Sequence, residues 1–273
     1  MRVTSLPTLF CAALLAASQA LAADFRRELT GDEREDVAEF VLNNALHVGF
    51  HEAGHMLVSE LKIPVLGREE DAADNLASII MLESDDEDLS LAIEDAADGW
   101  FLLDENSEDL TDDDLLDTHS LDSQRAYNVV CMMTGADPDY FEEFADDIDF
   151  PDDRREECVD EYAQTRDSWL SLLEPHRPAE GAHAAIFKIS YAKPKKGYET
   201  YAQILKDGEF LETVSETVGE MVGLRDGIRL TAKNCGEPDA YWDPDDREVT
   251  FCYEMSELHA EIITDYFLED PDE

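Results

Sequence analysis

Apolar residues recur at three- and four-residue intervals through Val37-Ala38-Glu39-Phe40-Val41-Leu42-Asn43-Asn44-Ala45-Leu46, and again through Met56-Leu57-Val58-Ser59-Glu60-Leu61. That spacing marks one face of an α-helix. Thr30-Gly31-Asp32-Glu33 has the form of a capping box and opens a first helix. A second helix covers about 43–61. It stops at Lys62-Ile63-Pro64, because proline disfavours helical geometry in the residue before it. The short connector Pro64-Val65-Leu66-Gly67 leads into a helix over about 68–82, with Leu76, Ile79, Ile80 and Leu82 directed at a core. Helical periodicity continues over 89–103, 119–133, 140–145 and 154–172.

The pattern changes at Glu174-Pro175-His176-Arg177-Pro178-Ala179-Glu180-Gly181, a loop by its prolines and glycine. Beyond it, Ala185-Ile186-Phe187-Lys188-Ile189-Ser190-Tyr191 alternates like a strand, 200–205 and 210–222 are helical, and Ile228-Arg229-Leu230-Thr231-Ala232 is a second strand. Tyr241-Trp242 and Glu248-Val249-Thr250-Phe251-Cys252-Tyr253 form a hairpin about the turn Asp243-Pro244-Asp245-Asp246, and 256–268 is a last helix. The expected fold class is therefore α+β: a predominantly helical part at 23–173, then a small mixed sheet with helices at 182–273. The two parts are expected to form one cooperative unit.

Residues 1–22 read as a cleavable secretory signal peptide. Met1-Arg2-Val3 is followed by an apolar, small-residue stretch from Leu9 to Leu21, with Ala20-Leu21-Ala22 as the cleavage site. No later segment has the ~20 apolar residues that span a bilayer. The expected location is periplasmic or extracellular. Of five cysteines, Cys11 lies in the leader, leaving Cys131, Cys158, Cys235 and Cys252 for an oxidising compartment. Four cysteines allow three pairings. Their grouping into two local pairs favours Cys131 with Cys158 and Cys235 with Cys252, each closing a loop worth roughly 3 kcal/mol in the chain-entropy model.

The formal charge of −47 excludes nucleic acid and anionic lipid surfaces as partners. Acidic runs such as Asp85-Asp86-Glu87-Asp88 and Asp112-Asp113-Asp114 read as solvated surface suited to salty surroundings, where screening relieves self-repulsion. None has calcium-loop spacing: Asp104-Glu105-Asn106-Ser107-Glu108-Asp109 lacks the turn glycine, and Leu115 stands at the closing position.

The candidate chemistry sits at His51-Glu52-Ala53-Gly54-His55. Positions four apart share a helix face, so His51 and His55 can present ring nitrogens to one zinc ion, with Glu52 beside the open position as general base. Gly54 keeps the helix surface small between the histidines. The next helix offers Glu69, Glu70, Asp71 and Asp74 as a third ligand. Glu70 and Asp74 lie i, i+4, so one can bind the metal while the other holds a liganding histidine by its second nitrogen. Glu70 is taken as the ligand and Asp74 as the orienting group. His47, one turn earlier, reads as structural or as a support for the site, and His119, His183, His259, Tyr127 and Tyr253 as lone residues open to a role in polarising a scissile carbonyl. Trp100, Trp169 and Trp242 read as core or cleft wall.

The run His-Glu-Ala-Gly-His followed by Leu-Lys-Ile-Pro-Val-Leu-Gly-Arg-Glu-Glu-Asp-Ala-Ala-Asp resembles a family of secreted bacterial metallopeptidases of unknown substrate, gluzincin-like in its HExxH and ExxxD elements. The resemblance continues through Cys131, Cys158-Val159-Asp160-Glu161-Tyr162, Ser168-Trp169, and Asn234-Cys235-Gly236 to Cys252-Tyr253-Glu254. It implies a zinc cofactor and a peptide or protein substrate. A sheet precedes the metal helix in zinc peptidases of that kind. Here it follows, so a permuted zincin-like arrangement is expected, with the sheet behind the His51 helix and its last strand bordering the cleft. The competing reading is a non-catalytic zinc-binding or interaction protein on the same fold. Retention of Glu52 favours the enzyme.

Overall fold

The computed structural model describes residues 29–84, 87–107, 110–179 and 185–268. The signal peptide expected at residues 1–22 and His183 lie outside them. The first helix, α1, runs unbroken over Gly31–Leu61, so the two helices expected on either side of residue 43 are one. No proline interrupts it, and its middle is buried nearly all round, from Val37 to Leu57. A helix in that setting needs no polar stripe. Thr30 and Glu33 complete the capping box at its start. At its end Lys62 takes the left-handed conformation, φ 56°, and donates its backbone N–H to Val58 O.

The second helix, α2 (Glu69–Leu82), folds back along α1. Gly54 permits the close approach: a Cβ there would stand 3.1 Å from Ala73 Cα. Ala73 lies between Glu70 and Asp74, so this contact sets how near both carboxylates come to the histidines. Next come α3 (Glu87–Glu105), α4 (Asp112–Leu116), α5 (Asp122–Ala136), α6 (Glu142–Asp147) and α7 (Asp152–Leu173), closed by a 3-10 turn over Glu174–His176. The disulfide Cys131–Cys158 joins α5 to α7.

The second half supplies β1 (Lys188–Tyr191), α8 (Glu199–Asp207), α9 (Phe210–Met221), β2 (Arg229–Lys233), β3 (Ala240–Asp243), β4 (Glu248–Cys252) and α10 (Tyr253–Leu268). The sheet order is β1-β2-β4-β3; β1, β2 and β4 are parallel and β3 pairs antiparallel with β4. Asp243 makes the hairpin turn by accepting the backbone N–H of Asp245 at 2.9 Å and of Asp246 at 3.2 Å. The last strand, β4, is interior, because it carries partners on both sides. The edge on that side of the sheet is β3, which packs beside α1. Glu60 of α1 receives Arg247, the residue before β4, through two hydrogen bonds of 2.7 and 2.9 Å. One cluster of buried apolar residues runs from Leu29 to Ile263 through both halves.

Where α1 meets α3, the Asp95 carboxylate accepts a hydrogen bond from Asn43 Nδ2 at 2.6 Å. Burial pushes its pKa up to about 7, the Asn43 bond opposes this, and the nearby Asp98, Glu39 and Glu94 charges add to it. A carboxyl whose pKa is higher in the folded than in the unfolded chain costs stability as pH rises from about 4 to 7. Asp95→Asn is therefore expected to raise the melting temperature more at pH 8 than at pH 5. Thermal melts of both proteins check this; an equal gain at both values contradicts it.

Candidate metal centre

The one-turn spacing on α1 brings His51 Nε2 and His55 Nε2 to 3.1 Å from each other. The first turn of α2 adds Glu70, whose Oε2 lies 3.2 Å from His51 Nε2 and 3.0 Å from His55 Nε2. Among the described residues this is the single group of three or more side chains with donor atoms close enough to share a metal ion. The outer ring nitrogens are held by carboxylates, His51 Nδ1 by Asp74 Oδ1 at 2.6 Å and His55 Nδ1 by Glu69 Oε1 at 2.9 Å. An ionised carboxylate only accepts, so each Nδ1 carries hydrogen and each Nε2 is turned to the centre. Of the four acids considered for the third ligand, only Glu70 reaches both imidazoles. Glu69 and Asp74 stand behind the histidines, and Asp71 accepts from Ser120 Oγ at 2.7 Å.

Three acceptors facing one another need a cation or extra protons between them. With protons alone, burial opposes charge on His55, yet Glu70 and Glu69 raise its pKa to about 9. His51 is raised too, its burial outweighed by Asp74 and Glu70. Glu70 is held well below the usual carboxylate range by hydrogen bonds from His119, His51 and His55. A divalent cation would satisfy the same atoms without protonating the rings, since metal-bound imidazole is neutral.

The surrounding charges agree. Asp74, 4% exposed, is gripped by Arg125 through Nε to Oδ2 at 2.8 Å and Nη2 to Oδ1 at 2.7 Å. Arg125 lies 3.6 Å over the Trp100 ring. Glu52 is 6% exposed, with Oε1 3.9 Å from His51 Nε2, and burial raises its pKa. Carboxylates therefore outnumber the single guanidinium at the centre, which is an environment that favours a bound cation. Two imidazoles and a carboxylate suit zinc.

His119 is the site residue that sequence patterns left among several lone candidates. It lies in the turn before α5 rather than on that helix. Its Nε2 is 3.1 Å from Glu70 Oε2 and its ring stacks 6.1 Å from that of His51. Asp117 Oδ1 accepts from His119 Nδ1 at 3.0 Å, and Arg68 Nη1 donates to the His119 carbonyl at 3.1 Å. The other lone candidates contribute no donor atom to the group. His259 is buried, and burial lowers its pKa to about 4. His47, one turn before His51, is buried behind the site; burial lowers its pKa to about 4, with the charges of Asp74, Arg125 and His51 acting on it as well. Tyr253 donates to Ala192 O at 2.8 Å, Tyr127 packs between Phe101 and Phe150, and Trp169 is in the core.

Over residues 8–173 and 191–272 the chain matches a family described as Putative metallopeptidase. The chain belongs to that family. No curated protein and no solved structure matches it. The family match spans the sheet as well as the helices, and the late motif Asn234-Cys235-Gly236 to Glu254 has a structural meaning in this member. The Glu254 carboxylate accepts from Asn234 Nδ2 at 3.1 Å, Cys235 N at 3.0 Å and Gly236 N at 2.9 Å, and Cys235 is bonded to Cys252. This bracket fixes the loop leading into β3. Asp239, just before β3, is near enough to add to the raised pKa of Glu52.

Proposed function

We propose that this member of the family is a secreted or periplasmic zinc-dependent peptidase, gluzincin-like in its site. His51, His55 and Glu70 would hold the metal. The observation that carries the reading is the convergence of two Nε2 atoms and one carboxylate oxygen beside a buried glutamate that is not one of the converging donors. Bound zinc would supply a Lewis acid that polarises a carbonyl and lowers the pKa of water towards ~7. Glu52 takes the proton of the attacking water and passes it to the leaving amine, and burial gives it the basicity to do so. Asp74 and Glu69 keep the two imidazoles turned inward. The His119 side chain is 44% exposed, and its Nε2, 3.1 Å from Glu70 Oε2, would turn from that carboxylate to donate to the substrate's carbonyl oxygen. A zinc-binding protein without turnover would have no use for a buried Glu52 at that position.

The test is cleavage of a peptide library by the purified protein, with removal of metal by a chelator and re-addition of zinc. Cleavage lost with chelator and restored by zinc is expected. Zinc-loaded, folded protein that cleaves nothing across the library supports the non-catalytic reading instead.

A further inference from the structure

We propose that Arg125 is a positioning residue of the metal centre, acting on His51 through Asp74. The inference rests on the reading of His51, His55 and Glu70 as the metal-holding set.

Asp74 Oδ1 meets two groups at once, His51 Nδ1 at 2.6 Å and Arg125 Nη2 at 2.7 Å, while Oδ2 accepts Arg125 Nε at 2.8 Å. With both oxygens engaged, the carboxylate has no freedom to turn, and the His51 ring that depends on it is fixed in plane. The guanidinium is itself held flat by Trp100, 3.6 Å away on α3. Four elements thus meet in one line of contacts: α1 through His51, α2 through Asp74, α5 through Arg125 and α3 through Trp100. Cys131 ties α5 to α7, so the fork stands on a braced support.

Arg125 is 9% exposed. Burying a guanidinium is costly, and an apolar side chain over Trp100 would fill the space at lower cost. A two-point grip is what a guanidinium does and an ammonium does not. The charge count points the same way. Arg125 is the one guanidinium against Asp74 and offsets a carboxylate charge in a centre where carboxylates are in excess. Arg125 also keeps Asp74 from competing as a ligand, since both of its oxygens are already taken.

The experiment is competitive zinc titration of the full chain, with a fluorescent chelator, on wild type, Arg125→Met, Arg125→Lys, Asp74→Asn and the Arg125→Met/Asp74→Asn double variant. Visible absorption of the cobalt(II)-loaded proteins serves as a reading of ligand geometry. Arg125→Met is expected to weaken zinc ~10–100-fold and to alter the cobalt spectrum. Arg125→Lys should resemble it, having charge without the fork. In the Asp74→Asn background, adding Arg125→Met should change affinity by less than about twofold, as for residues acting in one chain. Independent, multiplying effects would overturn the proposal, and so would wild-type affinity in Arg125→Met or Arg125→Lys. Should Arg125→Met fail to fold, the double variant, which removes the uncompensated buried carboxylate, is compared with Asp74→Asn alone: equal affinities support the proposal and a further loss overturns it. Failure of wild type to bind zinc defeats the site reading itself, whereas normal binding by wild type and Arg125→Met alike defeats only the role of Arg125.

Discussion

Glu52→Gln is expected to abolish peptide cleavage while keeping one zinc per chain. The side chain is buried beside the histidines, with Oε1 3.9 Å from His51 Nε2, yet the three converging donor atoms belong to His51, His55 and Glu70. Glutamine has the same shape and keeps the packing. What it loses is the ability to accept a proton, and removal of a general base costs typically 10²–10⁴-fold in rate. His51→Ala and His55→Ala should behave in the opposite way, losing the metal and with it all turnover. Metal analysis beside a cleavage assay separates the two behaviours. Loss of zinc from folded Glu52→Gln would show that Glu52 is a ligand and would refute its assignment as base.

The second large effect is expected at Glu70. Its Oε2 is the one carboxylate oxygen that meets both Nε2 atoms, whereas Asp74 stands behind His51 and is saturated by Arg125. Glu70→Gln should nearly abolish zinc binding. Asp74→Asn should weaken it only ~10–100-fold, the usual penalty for losing a group that orients a ligand. Competitive zinc titration of the two variants gives the order directly. A greater loss in Asp74→Asn would exchange the two roles and end the gluzincin reading.

Much of this site is legible in the chain because its parts are local. Four-residue spacing on one helix puts His51 over His55, and the connector ending at Gly67 brings the first turn of the next helix back to them. Gly54 reads in the sequence as a small spot between the histidines, and the structure fills it with Ala73. The two disulfides follow from local grouping and occur as expected. His119 and Arg125 are different. Neither belongs to a pattern, and each arrives through contacts spanning about fifty residues: Arg68 with the His119 carbonyl, Ser120 with Asp71, Arg125 with Asp74. Strand alternation shows where the strands are but not their order, which depends on which strands bury against α1. For that reason β3 rather than β4 takes the edge. Helix periodicity likewise fails to show that α1 is continuous, since a helix covered on all sides loses the amphipathic stripe by which its phase is followed.

Which atoms hold the metal is read most directly by X-ray absorption at the zinc edge of the purified protein. The expected spectrum has a shell of nitrogen and oxygen scatterers at about 2.0–2.2 Å, fitted by two imidazoles, one carboxylate and one water oxygen, with no sulfur at ~2.3 Å. A sulfur shell, or a spectrum unchanged by His51→Ala, would contradict the centre built from His51, His55 and Glu70.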